Sequence, residues 1–133
     1  MPNVILNSSP YTPPEDPSDE SELDLSLASA DGRVKYFHGD WGSLPSLLSS
    51  PYDLVLTSET IYSRDSHEPL LDAIEATLSR TGIALVAAKR NYFGLSGTLF
   101  DFLRLVEARG RMGTARVFEA GNVGREIWEL RWK

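Results

Sequence analysis

The sequence predicts an open α/β sheet in which mostly parallel strands alternate with helices and the chain ends in an antiparallel hairpin. Two apolar runs, 52–57 and 83–88, have the length and composition of buried strands. Segments of helical periodicity follow both runs, and two final β-rich segments flank a glycine-containing turn. This order of elements is the one expected of such a sheet.

The composition excludes several classes of protein. The chain of 133 residues has the size of one domain, and 41% hydrophobic residues exclude wholesale disorder and collagen-like or mucin-like classes. It has no cysteine for a disulfide scaffold. The longest apolar run, 83–88, is too short to span a bilayer, and the N-terminus does not resemble a secretory signal. We expect a soluble intracellular protein.

Negative charge is concentrated near the N-terminus. The net charge is −6 and the isoelectric point is about 4.8. Residues 1–32 contain no base and seven acids, namely Glu15, Asp16, Asp19, Glu20, Glu22, Asp24 and Asp31. The remainder is close to neutral and shows no basic groove, so neither direct nucleic-acid binding nor a membrane partner is predicted.

The segment 8–31 is rich in proline, serine and acidic residues. Such a composition buries too little apolar area to offset chain entropy, which predicts a disordered insertion or a tail ahead of the fold. The predicted domain organisation is therefore a short segment 1–7, a disordered segment 8–31 and an ordered segment 32–133.

The ordered segment opens with a strand at 34–38, which is rich in β-formers and stops at Gly39. A short helix is predicted at 44–48. The strand at 52–57 is almost entirely apolar, and we therefore expect it to be covered on both faces of the sheet.

Two helices and a hairpin complete the predicted fold. The first helix carries an apolar stripe and stops at 81–82, ahead of the strand at 83–88, and the second closes near Gly110. The hairpin segments are 114–119 and 125–132. The apolar stripes consist of Leu70, Leu71, Ile74 and Leu78 in the first helix and Leu99, Phe102, Leu103 and Val106 in the second. In the last strand, Trp128, Leu130 and Trp132 alternate with Ile127, Glu129 and Arg131.

Ligands of open α/β sheets bind at the carboxyl ends of the parallel strands, so the residues directly after each strand are candidates for a site. In Gly39-Asp40-Trp41, a glycine permits close backbone approach, a carboxylate accepts from an exocyclic amine and an indole stacks on an aromatic base. These are the requirements of an adenine pocket. The alternative is a turn in which Asp40 caps a helix and Trp41 packs in the core.

The strand at 52–57 continues directly into Ser58-Glu59-Thr60-Ile61-Tyr62. A hydroxyl and a carboxylate at the carboxyl end of the strands would face a substrate. A carboxylate buried there needs either an ionic partner or a functional role. Alternatively, Ser58 or Thr60 caps the next helix and Tyr62 is a core ring.

The remaining sequence features give weaker evidence for a functional site. The segment 89–94 follows the strand at 83–88 and either lines an entry to the crevice or is a solvated edge. His38 and His67 lack neighbours at metal-ligand spacing, so structural roles are expected and no metal site is predicted. The sequence contains neither a phosphate-binding G-x-x-x-x-G-K-[ST] loop nor a G-x-S-x-G elbow.

Three motifs together resemble the carboxyl-terminal half of the histidine protein methyltransferases. They are Gly-Asp-Trp after a strand, Tyr-Asp-Leu-Val-Leu-Thr-Ser-Glu-Thr-Ile-Tyr at 52–62, and a strand ending in Ala-Lys before Tyr-Phe-Gly. The opening residues 1–7 are similar to a Leu-Pro-Asn-Val segment of that family. The resemblance implies a partial Rossmann-like seven-β-strand methyltransferase fold with an antiparallel C-terminal hairpin.

The resemblance also implies roles for individual residues. Gly39, Asp40 and Trp41 match positions on the adenosine side of the cofactor S-adenosylmethionine, and Ser58 matches a position beside that cofactor. Glu59 and Tyr62 match positions near the methyl-transfer centre. The implied reaction is S-adenosylmethionine-dependent methylation of an imidazole nitrogen of a protein substrate, with a ribosomal protein as the candidate substrate and a cytoplasmic or nuclear location.

One departure from the family is large. This chain has no glycine-rich first strand and no acidic residue after a second strand, the elements that bind the methionine end and the ribose in the family. Two alternatives therefore remain. The chain could be a non-catalytic fragment that acts as an interaction module through its acidic segment and a sheet edge, or a nucleotide-binding module.

Because the glycine-rich turn is missing, we expect the 133-residue chain alone to bind S-adenosylmethionine weakly or not at all and to methylate nothing unaided. Calorimetric titration with S-adenosylmethionine tests this expectation. Micromolar binding, about −8 kcal/mol, would contradict it. Absent binding that is restored by an upstream segment supplied in trans would support it.

Overall fold

The computed structural model describes residues 41–48, 51–121 and 124–133, and within them the central element is a four-stranded mixed sheet. The strands are β1 (Tyr52–Ser58), β2 (Leu78–Lys89), β3 (Met112–Ala120) and β4 (Arg125–Trp132). Their order across the sheet is β1-β2-β4-β3. The predicted segments 1–7 and 8–31, the predicted strand at 34–38, and the candidate residues Gly39 and Asp40 lie outside the described residues.

The described part of the chain contains three α-helices. They are α1 (Leu44–Leu47), α2 (His67–Thr77) and α3 (Leu99–Arg109), with single 3₁₀ turns at Trp41–Ser43 and Arg64–Ser66. The Thr98 hydroxyl accepts from the Asp101 N–H at 3.1 Å and caps the start of α3, and Gly110 ends that helix with φ 69°. The predicted closure near Gly110 is confirmed. None of the described helices is long and apolar enough to cross a membrane.

β1 and β2 pair in parallel, as predicted, with Val55 opposite Ala84 and Thr57 opposite Val86. β2 begins at Leu78, so the prediction that Leu78 belongs to the preceding helix is wrong. Leu78 lies four residues after Ile74 and its N–H still bonds the Ile74 carbonyl, but its own backbone is extended. The Leu78 side chain is buried. The spacing of apolar residues could not show whether Leu78 is the last residue of the helix or the first of the strand, because a buried side chain suits both positions.

Only one face of β1 is covered among the described residues. Val55 and Thr57 are half-buried on the face that carries the helices, whereas Leu54 and Leu56 on the opposite face are 51% and 67% exposed. The prediction that this apolar strand is covered on both faces is therefore wrong for the described part of the chain. Apolar composition reports what a strand tolerates, and it does not show what lies against each face.

The hairpin of β3 and β4 completes the sheet, because β4 pairs antiparallel with both β2 and β3. Leu130 is fully buried and Trp128 and Trp132 pack against the core, which confirms the predicted alternation along β4. The core between the sheet and helices consists of Ile61, Leu70, Leu71, Ile74, Leu78, Ala84, Val86, Ala88, Leu99, Phe102, Val106, Met112 and Leu130.

Ion pairs connect the two longer helices. Arg109 of α3 pairs with Glu68, Asp72 and Glu75 of α2, which links the two helices.

Burial of Glu126 would raise its pKa, but hydrogen bonds from Arg90 and Trp128 more than offset that effect and hold the pKa below its usual range.

The loops after β1 and β2 touch through backbone at Gly97. The Gly97 N–H bonds the Tyr62 carbonyl at 3.0 Å. A Cβ at Gly97 would overlap the Ile61 carbonyl oxygen and come within 2.7 Å of the Tyr62 carbonyl carbon. Only glycine permits this approach, so it fixes the loop that carries Tyr62 against the loop before α3.

We expect Gly97→Ala to lower the free energy of unfolding by about 2 to 3 kcal/mol, because backbone must move to admit the methyl group. Urea denaturation followed by circular dichroism measures this loss. Gly113→Ala is the matched control, since a Cβ at Gly113 meets nothing within 4 Å and the change should stay within about 0.5 kcal/mol. Equal losses for the two variants would contradict the close-approach argument.

Candidate active site

The candidate site lies at the carboxyl ends of the parallel pair β1 and β2. The Glu59 N–H bonds the Ala87 carbonyl at 2.9 Å, one residue beyond the end of β1. β4 runs antiparallel to β2, so its first residue, Arg125, lies opposite Lys89 at the same edge. The sheet thus brings Ser58, Glu59, Lys89 and Arg125 to one edge.

Glu59 has a strained backbone. Its φ is 57°, and no other non-glycine residue in the described part of the chain has a positive φ. The left-handed region costs an L-residue about 1 kcal/mol or more, and such outliers cluster at functional sites where the surrounding structure enforces them. Here the bond to Ala87 keeps the strand ladder intact while the side chain leaves the regular strand direction.

The Glu59 carboxylate has a cationic neighbour. Its Oε1 lies 3.9 Å from Nη2 of Arg125, and the two side chains are 35% and 52% exposed. A pair this accessible to solvent contributes less than about 1 kcal/mol to stability. The pair is therefore a weak reason for Glu59 to adopt a strained backbone.

Tyr92 lies beside the same carboxylate. The Lys89 N–H donates to the Tyr92 hydroxyl oxygen at 3.2 Å, and the Lys89 ammonium lies 5.9 Å from the ring centre. Burial raises the pKa of Tyr92, the hydrogen bond from the Lys89 backbone lowers it, and the charge of Glu59 and a hydrogen bond to it raise it. The net effect is a Tyr92 pKa above the usual phenol value.

The loop after Glu59 is held by short polar contacts. The hydroxyls of Thr57 and Thr60 are 2.5 Å apart, and the Ser66 hydroxyl donates to the Thr60 carbonyl at 3.0 Å. Neither Ser58 nor Thr60 caps a helix, since Ser63 precedes the 3₁₀ turn and Ser66 precedes α2. The capping alternative for these two residues is wrong.

Tyr62 is 49% exposed, so the alternative of a core ring is also wrong. Ser58 is exposed at the end of β1, directly before Glu59. The structure therefore brings three of the predicted residues, Ser58, Glu59 and Tyr62, to one strand end and the loop that follows it.

The described cofactor candidates offer two suitable groups. Trp41 lies in the 3₁₀ turn at Trp41–Ser43 and is 40% exposed, which leaves an indole surface for stacking and contradicts the alternative of a core residue. Ser58 offers an exposed hydroxyl. These groups fit an adenosine-containing ligand in chemistry, and Gly39 and Asp40 remain predictions.

Two residues of this edge were missed from the sequence. Tyr92 lies in the segment 89–94, for which the sequence allowed two interpretations, the lining of a crevice or a solvated edge. Arg125 is the first residue of the last strand. The topology of a terminal antiparallel strand could have signalled Arg125, because such a strand begins where the parallel strands end. The neighbouring Arg90 is not a free solvated base, since it pairs with Glu119 and Glu126.

His67 has the structural role expected of it. Its ring is buried, Nε2 lies 2.9 Å from the Ile61 carbonyl oxygen, and the ring meets Phe102 edge to face at 5.6 Å. It packs under the loop that follows Glu59.

Comparisons with known proteins agree with the resemblance. A family model described as "Lysine methyltransferase" matches residues 17–107. The histidine protein methyltransferase 1 homolog of Rattus norvegicus is 32% identical over 143 residues, which cover all of this chain and 39% of the relative. The homolog of Dictyostelium discoideum is 35% identical over 103 residues, or 74% of this chain and 33% of the relative. The chain thus spans about two-fifths or less of the length of these relatives.

A solved structure supports the fold. The TehB-like SAM-dependent methyltransferase from Corynebacterium glutamicum superposes with a TM-score of 0.56 at 19% identity, covering 74% of this chain and 56% of that one. At this identity the likeness concerns the fold alone. The mixed sheet and this neighbour confirm the predicted α/β class and its partial Rossmann-like character.

The matched range exceeds half of the chain, and the resemblance drawn from the motifs is confirmed by the named relatives. The chain belongs to the methyltransferase family described as lysine methyltransferase, and its relatives there include histidine protein methyltransferases.

Proposed function

We propose that this chain supplies the carboxyl-terminal part of an S-adenosylmethionine-dependent protein-histidine methyltransferase. The observation that carries the proposal is Glu59, a strained carboxylate at the carboxyl edge of the parallel strands. The names of the relatives support a histidine substrate, and the family motifs support the cofactor. A ribosomal protein is the first substrate to test, and a cytoplasmic or nuclear location belongs to the same proposal.

The cofactor would contact Trp41 and Ser58 among the described residues, together with Gly39 and Asp40. When bound, S-adenosylmethionine supplies an electrophilic methyl group on a sulfonium. The protein need not remove a proton before attack, because an imidazole with a reference pKa of about 6.5 is mostly neutral at pH 7. Positioning and exclusion of water then contribute most of the rate.

Glu59 would act on the other side of the imidazole ring. Its carboxylate accepts the N–H of the nitrogen that does not attack, which selects the tautomer with a free lone pair on the attacking nitrogen. As the ring gains positive charge, the same carboxylate stabilises the imidazolium. Tyr62, exposed on the same loop, would contact the substrate beside it.

Glu59→Gln tests this role in a chimera in which the chain replaces its matching segment of the rat relative. We expect kcat to fall at least about 100-fold, because an amide lacks the negative charge that stabilises the imidazolium. Methylation with labelled S-adenosylmethionine measures the rate, and the KM for the cofactor should stay constant.

The matched control is Glu107→Gln on the exposed side of α3, which should leave kcat unchanged. An unchanged rate in the Glu59 variant, with an active parent chimera, would contradict the proposed role.

Lysine methylation is a second candidate, favoured by the description of the matching family model. The pH dependence separates the two substrates because only the neutral side chain attacks. Transfer to histidine should rise through pH of about 6.5 and then level off, whereas transfer to an ordinary lysine would keep rising towards about 10.4. Initial rates of the chimera over this range, with mass spectrometry of the modified residue, measure the difference. A rate still rising above pH 8 on a lysine would overturn the histidine assignment.

A further inference from the structure

The backbone fixes Glu59 but does not fix its carboxylate. The positive φ and the bond to the Ala87 carbonyl set the direction of the Cα–Cβ bond. Three side-chain torsions lie between the Cα atom and the carboxylate, and the backbone sets none of them. A carboxylate that must meet one N–H of a substrate therefore needs contacts of its own.

Tyr92 is placed to supply one such contact. Its oxygen already accepts the Lys89 N–H at 3.2 Å, which holds the half-buried phenol in position. The phenol hydrogen is then available as a donor. Glu59 lies next to it, because the Lys89 N–H that binds the phenol is two residues after Ala87, whose carbonyl accepts the Glu59 N–H at 2.9 Å.

Arg125 supplies a second contact, a guanidinium nitrogen 3.9 Å from Glu59 Oε1. Its backbone is fixed, because Arg125 begins β4 opposite Lys89 of β2. A phenol and a guanidinium thus lie next to the Glu59 side chain from two different elements, the segment after β2 and the start of β4.

A carboxylate has about four lone-pair positions, so a phenol donor and an ionic neighbour at 3.9 Å leave capacity for a substrate N–H. We propose that Tyr92 and Arg125 are positioning residues that hold the Glu59 carboxylate ready for the N–H of a substrate imidazole. The inference rests on the proposed function for its substrate, but the contacts of Tyr92 and Arg125 with Glu59 can be measured without cofactor or substrate.

The first test follows the titration of Tyr92 in the full 133-residue chain labelled at the phenol Cζ of tyrosine. Tyr92→Phe assigns the resonance. Glu59→Gln should lower the pKa of Tyr92, because it removes the negative charge that raises it. Arg125→Gln should move the pKa in the opposite direction, because the Arg125 charge lowers it.

Two variants serve as controls for this titration. Tyr52→Phe removes a phenol at the far end of β1, and Arg131→Gln removes the same charge as Arg125→Gln from the far end of β4. Neither should move the Tyr92 titration. Melting curves of all variants establish that they remain folded.

The second test reads the order of Glu59 itself. A fixed carboxylate makes the two Hγ protons of Glu59 non-equivalent, and Tyr92→Phe should bring their chemical shifts together. In the chimera, Tyr92→Phe and Arg125→Gln should lower kcat at least about tenfold while the KM for S-adenosylmethionine stays unchanged.

The inference is overturned if Glu59→Gln leaves the Tyr92 titration in place, or if Tyr92→Phe leaves the Hγ shifts of Glu59 apart. These outcomes are separable from failure of the proposed function. An inactive chimera with the coupling intact would refute the histidine methyltransferase proposal alone, and an active chimera without the coupling would refute the positioning role alone.

Discussion

The parallel pairing of β1 with β2 is the constraint on which the candidate site depends. It aligns the two carboxyl ends, so that Glu59 follows one strand and Lys89 ends the other. The antiparallel return of β4 then adds Arg125 to the same edge. With a different register, the carboxylate, the phenol and the guanidinium would not meet.

The core beneath the sheet holds this pairing in place. Phe102 and Val106 of α3 and Leu71 and Ile74 of α2 are fully or almost fully buried against the strands. Burial on this scale contributes roughly 1.5 to 3 kcal/mol for each large side chain. The strained φ of Glu59 costs a similar amount, about 1 to 3 kcal/mol, so burial of one or two such side chains offsets it.

The sequence predicted the strands and helices of the described region because their periodicity was strong. The boundary at Leu78 failed because that residue satisfies both the helix spacing and the strand. The prediction that both faces of β1 are covered failed for the described part of the chain, because the apolar residues Leu54 and Leu56 carry no information about what covers them.

The candidate site was predicted in part for a similar reason. Glu59 and Tyr62 are candidates because they follow a strand directly, and because the motif around them resembles a known family. Tyr92 and Arg125 come from distant segments, and only the sheet register places them beside Glu59. Contacts between such distant segments cannot be predicted from one sequence unless the strand order and register are assumed first.

The role of Glu59 is measured most directly by a crystal structure of a methyltransferase domain that contains this chain, bound to a histidine peptide and the demethylated cofactor product. We expect an oxygen of Glu59 within about 2.7 to 3.2 Å of one imidazole nitrogen, with the other nitrogen facing the cofactor sulfur. An imidazole held elsewhere, with Glu59 contacting only Arg125 and solvent, would contradict it.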